Sequence, residues 1–244
     1  MFPPIYTILV GIQDIAEGVI DILGLGIKKI PKHIAILVDG CEEWAAQQKQ
    51  DLALVYSTEF LNIKNIIKIA VKLDIPILTF HSRTKANEHE IDQLVHFFEL
   101  LLNWDLIKEN QVKISVLGKW YDLPERLLTP IKKIITETKD YDKFFVNFCI
   151  NYSGQEEIVD ACKLIAHQVK LDRIGPDNVT KELLKENIYA SYFLPPELMI
   201  ITGTKKTTNG LLLWDSSNTV IHISNKLWPD FGREEFFRAL REYQ

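Results

Sequence analysis

The chain has 244 residues, of which 47% are hydrophobic, and a formal net charge of -5. This length and apolar content favour one folded domain with a sizeable core over two domains. Lys and Arg are scattered along an acidic chain, and this distribution argues against nucleic acid as a partner. Cys41, Cys149 and Cys162 match neither a disulfide framework nor a zinc-binding pattern, so we expect a reducing, cytoplasmic location.

Residues 1–30 are predicted to form an N-terminal amphipathic helix. Asp14, Glu17 and Asp21 interrupt the apolar run, so neither a membrane-spanning helix nor a signal peptide is expected. The acidic polar face also disfavours a helix on a membrane surface, and membrane association is not predicted. We expect this helix to pack on the domain formed by residues 31–244 or on a partner chain. Its apolar positions, at helical spacing, are Ile5, Ile8, Leu9, Ile12, Ala16, Val19 and Leu23.

From Pro31 onward, short β-rich runs alternate with longer helical patterns. The runs predicted as strands are HIAILV, IPILTFH, QVKISVLG, KFFVNFCIN and ELMIITG, which are apolar or β-branched and bounded by turn residues. The amphipathic segments predicted as helices include EIDQLVHFFELLLNW, LPERLLTPIKKIITET and GQEEIVDACKLIAHQVK. This alternation predicts an α/β fold in which a central, mostly parallel sheet is flanked by helices on both faces.

The first predicted strand runs directly into Asp39 and Gly40. In open α/β sheets, ligands bind beyond the carboxyl ends of the strands, where loops lead into helix N-termini. A carboxylate there can bind Mg²⁺, which would hold a phosphorylated ligand, whereas the alternative is that Asp39 only caps the next helix. Glu42 and Glu43 have the same two interpretations. They are either metal ligands beside Asp39 or first-turn acids favoured by the helix dipole.

Five segments match one protein family in order and spacing. They are PKHIAILVDGCEEWA, VKISVLGKWYDLPERL, VNFCINYSGQEEIVDAC, PPELMIITGTKKTTNGLLLWD and KLWPDFGREEFFRAL. The first is similar to a strand followed by Asp-Gly-Asn-Gly-Arg-Trp-Ala, the opening signature of that family. The chain from Pro31 therefore resembles the cis-prenyltransferases, the undecaprenyl diphosphate synthase family, and the resemblance implies the fold of that family.

The resemblance implies an activity as well as a fold. Family members condense an allylic prenyl diphosphate with isopentenyl diphosphate, using Mg²⁺ held by the first-strand aspartate and arginines that bind both diphosphates. Asp39, Gly40, Trp44 and Asn87 match the family pattern by position. The resemblance also implies a homodimer that pairs through elements near the C-terminal strands, which here include TVIHIS and KLWPDF.

The positions that bind the allylic diphosphate in the family have lost most of their cations. Cys41 replaces the asparagine of the signature, and Glu43 replaces its arginine. Leu52 and Tyr56 stand in place of an arginine and a histidine, and Glu90 stands in place of a further arginine. Because a departing diphosphate needs cations where its charge grows, this pattern predicts a remodelled site.

The second diphosphate site departs from the family in the same way. Ile201 and Thr207 occupy two arginine positions, Asn209 occupies a serine position, and Val220 replaces a glutamate that helps to bind metal across the dimer. Removing one charge-assisted hydrogen bond to a phosphate costs about 1.5–3 kcal/mol. We therefore do not expect ordinary polyprenyl chain elongation.

Three functions are consistent with this pattern. The first, which we expect, is an isoprenoid-diphosphate enzyme with altered chemistry in a hydrophobic tunnel, either irregular prenyl coupling or diphosphate loss with cyclisation. The others are a non-catalytic partner subunit of an active homologue and a prenyl- or lipid-binding pseudoenzyme. Lys205 and Lys206 either rebuild a phosphate-binding loop or belong to a solvated turn. In the expected enzyme, Asp39 is catalytic and binds metal with Glu43, and the substrate-binding residues are Gly40, Trp44, Tyr56, Asn87, Lys205, Lys206 and Asn209.

Overall fold

The computed structural model of the protein describes residues 27–82 and 88–244. The helix predicted for residues 1–30 lies outside these ranges except at positions 27–30, which have no regular secondary structure. None of the helices in the described ranges combines the length and hydropathy needed to cross a membrane.

A parallel sheet of six strands forms the centre of the described structure. Its strands are β1 (His33–Val38), β2 (Ile77–Ser82), β3 (Val112–Leu117), β4 (Phe144–Cys149), β5 (Leu198–Ile201) and β6 (Val220–Ile223). Their order across the sheet is β3-β4-β2-β1-β5-β6, and each neighbouring pair is parallel. All five predicted strands are present, and β6 lies within TVIHIS.

Helices cover both faces of this sheet. Within the described residues they are α1 (Cys41–Gln48), α2 (Leu52–Lys72), α3 (Glu88–Leu102), α4 (Asp105–Glu109), α5 (Glu125–Glu137), α6 (Gly154–Lys170), α7 (Lys181–Asn187) and α8 (Arg233–Glu242). The predicted helices correspond to α3, α5 and α6. The predicted α/β architecture is therefore confirmed.

The alternation of side chains along β1 separates two cores. Ile34, Ile36 and Val38 join the larger cluster, which includes apolar residues of α2, α3, α5 and α8. Ala35 and Leu37 point to the opposite face and join a smaller cluster. Because both faces of the sheet are covered, all six residues of β1 are buried; five are apolar and the sixth is His33. Asp39 follows at the carboxyl edge of the sheet.

Candidate active site

Asp39 and Gly40 form the turn between β1 and α1. Gly40 has a φ of +96° and occupies the N-cap position of α1, while the Asp39 carboxylate accepts a hydrogen bond from the Gly40 N–H at 2.8 Å. A Cβ at Gly40 would lie 2.7 Å from Leu227 Cδ2, so this close approach needs glycine. The structure corrects the capping alternative, because Gly40 rather than Asp39 is the N-cap residue.

Two distant segments hold the backbone of Asp39 in place. Thr202, which follows β5, accepts from the Asp39 N–H at 3.0 Å and donates to the Leu37 carbonyl at 2.8 Å. The N–H of Trp228 donates to the Asp39 carbonyl at 3.1 Å. The KLWPDF segment therefore lies against the turn that follows β1, although it stands near the opposite end of the chain.

The Asp39 side chain lines a cavity of about 600 Å³ at the carboxyl edge of the sheet. The cavity draws residues from the ends of β1 and β2, from α1, α2 and α3, and from the loop after β5. Its described lining consists of Val38, Asp39, Gly40, Cys41, Glu42, Glu43, Tyr56, Glu59, Ser82, Glu90, Thr204 and Lys205.

This lining is strongly acidic. Asp39 and four glutamates contribute five carboxyl groups, and Lys205 is the one Lys or Arg among the described lining residues. Glu90 is buried and brings its carboxyl group to the same cavity. The surplus of negative charge favours a cationic group, or an anionic ligand that enters with metal cations.

Glu59 is a buried member of the cavity that was not predicted from the sequence. Its side chain is only 3% exposed, and burial raises its pKa to about 7, against hydrogen bonds from Ser82 and Cys41 that lower it. A sequence signal was available. Val55, Glu59, Ile63 and Ile67 are buried at spacings of four on α2, and an acid within such an apolar stripe indicates a functional or paired carboxyl group.

Two neighbours of Glu59 stay neutral at ordinary pH. Burial, followed by the charge of Glu59, raises the pKa of the Cys41 thiol. Burial, followed by the charges of Glu90 and Glu59, raises the pKa of Tyr56 to about 12. Tyr56 therefore presents a neutral phenol to the cavity.

Glu43 connects α1 with the loop after β5. Its carboxylate accepts from Thr204 Oγ1 at 2.8 Å and from Gln47 Nε2 at 3.1 Å. Thr204 and Lys205 line the cavity beside it. The structure thus brings Asp39, Glu43 and Lys205, three residues singled out in the sequence, to one cavity.

Other predicted site residues lie apart from this lining. Trp44 donates through Nε1 to Asp230 at 2.9 Å, and Lys206 is exposed with a φ of +49°. Asn209 accepts from Thr207 Oγ1 at 2.8 Å, and it also does not line the cavity. Asn87 lies outside the described residues, in the stretch 83–87 between β2 and α3.

The donor set suits a hard divalent cation, although the described part of the chain contains no group of three or more His, Cys, Asp or Glu residues placed to hold one metal ion. Mg²⁺ is usually bound by one or two carboxylates together with waters and substrate phosphates. Asp39 and Glu43 supply carboxylate oxygens next to open space, so these residues fit Mg²⁺ bound jointly with a phosphorylated ligand.

A cluster of aromatic residues lies in the larger core. Phe97, Phe98 and Phe148 are buried, with ring centroids 5.3–5.7 Å apart. Phe60 stacks on Phe97 at 4.4 Å. These rings therefore pack against one another in the core.

Known proteins are similar to this chain over most of its length. Residues 37–244 match the family model described as putative undecaprenyl diphosphate synthase. The chain is 32% identical over 223 residues to an isoprenyl transferase of Prochlorococcus marinus, covering 89% of this chain and 82% of that protein. It is 32% identical over 225 residues to the tritrans,polycis-undecaprenyl-diphosphate synthase (geranylgeranyl-diphosphate specific) of Methanocaldococcus jannaschii, covering 88% and 80%.

A solved structure shares the fold. The lavandulyl diphosphate synthase of Lavandula x intermedia, crystallised in complex with dimethylallyl diphosphate, superposes with a TM-score of 0.80 and 27% identity. The match covers 87% of this chain and 94% of that one.

Proposed function

Because the chain belongs to the undecaprenyl diphosphate synthase family, we propose that it acts on an allylic prenyl diphosphate with altered chemistry, either irregular prenyl coupling or diphosphate loss with cyclisation. The observation that carries the proposal is the placement of Asp39 at the carboxyl end of β1, inside an acidic cavity of about 600 Å³. The related lavandulyl diphosphate synthase was crystallised with dimethylallyl diphosphate, which supports an allylic substrate here. The hydrophobic tunnel for the prenyl chain belongs to the same proposal.

Mg²⁺ is the proposed cofactor, with Asp39 and Glu43 as its protein ligands. When bound, it would supply positive charge where the departing diphosphate accumulates negative charge. The charge balance supports this, since five carboxyl groups and one lysine would otherwise repel a diphosphate. Lys205 and the Thr204 hydroxyl are the proposed direct contacts of the phosphate oxygens, and Lys206, Asn87 and Asn209 are proposed as further substrate-binding residues.

In this proposal, Tyr56 and Glu59 act on the prenyl group of the substrate. Tyr56 presents a neutral phenol ring whose face can stabilise positive charge that develops on carbon. When the C–O bond breaks, its electron pair leaves with the diphosphate. Glu59 then accepts a proton from the prenyl group, and the C–H electron pair becomes the new C=C bond. A pKa of about 7 lets Glu59 serve as a base near neutral pH.

One assay tests the function. The purified chain is incubated with Mg²⁺ and dimethylallyl, geranyl or farnesyl diphosphate, with and without isopentenyl diphosphate, and released diphosphate and solvent-extractable product are measured. We expect release without isopentenyl diphosphate, its loss on chelation, and its loss in Asp39→Asn. Asp74→Asn is the matched control, because Asp74 is exposed in the turn before β2. Equal release by both variants would overturn the role of Asp39.

A non-catalytic role is the second candidate. It is favoured by the acidic lining of the cavity, because this lining repels a diphosphate that carries no metal ion. Failure to release diphosphate, together with stimulation of an active cis-prenyltransferase on mixing, would support a partner subunit. Tight binding of a prenyl diphosphate without turnover would support a pseudoenzyme.

A homodimer is proposed from the exposed edge of the sheet. β6 pairs only with β5 within the described sheet, and Val220, Ile221 and Ile223 are each at least 40% exposed. Edge strands with apolar side chains are normally covered, and a second copy would cover this one. The free thiols Cys41, Cys149 and Cys162 support the cytoplasm as the proposed location.

A further inference from the structure

A second cavity, which we call the α2–α8 groove, lies between α2 and the start of α8. Its volume is about 310 Å³, and it shares no described lining residue with the cavity at Asp39. The residues that line it are Asn62, Asn65, Ile66, Lys68, Ile69, Lys72, Leu73, Phe231, Gly232, Arg233 and Phe237.

The floor of the groove is apolar. Ile66, Leu73, Phe231 and Phe237 are buried core residues, and Ile69 is half-buried between them and solvent. These side chains come from α2 and the residue after it, and from α8 and the segment that leads into it, so the floor is held by two packed elements. An apolar floor of this kind selects a hydrocarbon group rather than a free inorganic ion.

The rim of the groove is cationic. Lys68, Lys72 and Arg233 are exposed, and none of the described lining residues is acidic. Lys68 and Lys72 lie four residues apart and therefore on one face of α2. The Arg233 guanidinium lies 5.4 Å from the centroid of the Phe237 ring, so it stays close to the apolar floor. This cationic rim stands out on a chain whose net charge is -5.

We propose that the α2–α8 groove binds an anionic amphiphile, that is, a short hydrocarbon chain with a phosphate or carboxylate head. The chain would lie on Ile69 and Phe237, and the head would contact Lys68, Lys72 and Arg233. If a carbon atom takes a volume similar to that of a water molecule, about 30 Å³, the groove holds about ten non-hydrogen atoms. That size suits a chain of about eight carbons with its head at the rim.

The groove is also connected to the first cavity through α2. Asn62 donates to the carbonyls of Trp228 and Pro229 at 2.9 and 3.1 Å, and the Trp228 indole donates to the Glu59 carbonyl at 3.2 Å. The two sites are nevertheless lined by different residues. Binding in the groove can therefore be measured without any turnover at Asp39, and its test is independent of the proposed function.

Calorimetry with octyl phosphate tests the groove directly, with octanoate, octyltrimethylammonium and inorganic phosphate as comparison probes. We expect octyl phosphate or octanoate to bind at one site, and which of the two binds tighter identifies the head group. Octyltrimethylammonium and inorganic phosphate should bind at least about tenfold more weakly, because each lacks either the negative charge or the chain.

Four variants test whether octyl phosphate binds in the α2–α8 groove. Lys72→Glu should weaken octyl phosphate binding by roughly fivefold, whereas Lys170→Glu, which makes the same change in the last turn of α6, should leave it unchanged. Ile69→Trp should abolish binding by filling the groove, and Asp39→Asn should retain it. No binding by the unaltered chain, equal binding by Lys72→Glu and Lys170→Glu, or loss in Asp39→Asn would overturn the proposal.

Discussion

The side chains of Cys41 and Glu59 meet at 3.2 Å, where the thiol donates to the glutamate carboxyl group. Cys41 opens α1 directly after the Asp39 turn, and Glu59 lies within α2. Their contact ties the two helices together at the wall of the cavity. Because both side chains are buried, the carboxyl group is costly to ionise, and its pKa rises to about 7.

The raised pKa of Glu59 predicts a pH-dependent stability. Between pH 4.5, its ordinary pKa, and about pH 7, the folded chain binds more protons at this site than the unfolded chain. The free energy of unfolding therefore falls as pH rises through this window. Above about pH 7, the ionised Glu59 should lower the free energy of unfolding by about 3 kcal/mol. Glu59→Gln removes the titration, so its stability relative to the unaltered chain should rise between about pH 5 and about pH 8.

Urea unfolding at both pH values measures this difference. His33 acts in the opposite direction, because burial lowers its pKa to about 4 and protonation of the unfolded chain then lowers stability in acid. That contribution is the same in both proteins and cancels when they are compared. A stability difference that does not change with pH would contradict the burial of an ionisable Glu59.

Thr202 is predicted to position Asp39 through its hydroxyl group. Thr202→Val leaves the Asp39 N–H without its partner and should cost about 1–3 kcal/mol in the free energy of unfolding. Diphosphate release should fall as well, because the carboxylate loses its fixed placement. Thr202→Ser keeps the hydroxyl and should restore both. Equal activity of the valine and serine variants, measured where both are folded, would show that the hydrogen bond has no positioning role.

Gly203 is predicted to tolerate no side chain. Its φ is +87°, and a Cβ would lie 3.1 Å from the Cβ of Asp39. Gly203→Ala should therefore destabilise the fold by about 1–2 kcal/mol and displace Asp39. Gly232→Ala is the matched control, since its φ is -123° and no atom lies within 4 Å of an added Cβ. Thermal unfolding compares the two, and similar melting temperatures would contradict the close approach at Asp39.

The edge strand predicts the effect of a charge at the proposed dimer interface. Ile221→Lys on β6 should convert the dimer to a monomer, because a lysine would be desolvated between two copies. Val159→Lys on α6 is the control, since Val159 and Ile221 are equally exposed at 46%. Light scattering measures the mass of each variant. A dimer that survives Ile221→Lys unchanged would place the interface elsewhere.

The main elements of the fold could be predicted from local patterns. Each predicted strand is a short apolar run, and parallel strands buried on both faces must have this composition. The turn at Asp39 and Gly40 was likewise predicted, because an aspartate and a glycine directly after an apolar run are a local feature of the sequence. The bounds of β2 and β5 differ from the predicted runs by one or two residues, since strand ends depend on pairing with neighbours.

The composition of the cavity could not be predicted in the same way. Glu43 and Thr204 are 161 positions apart and still form a hydrogen bond. Glu59 lies within a buried apolar stripe of α2 and was not predicted, while Trp44, which matches the family pattern, and Asn209, which stands at a serine position of that pattern, lie off the cavity lining.

The sequence by itself determined the α/β class, the family and the position of Asp39, because periodicity and a strand-end motif are local properties of a chain. Only the tertiary structure decided which acids share the cavity, since α2, α3 and the loop after β5 are brought together by the order of strands in the sheet. It likewise decided the protonation of Glu59, because desolvation depends on what surrounds a group in space rather than along the chain.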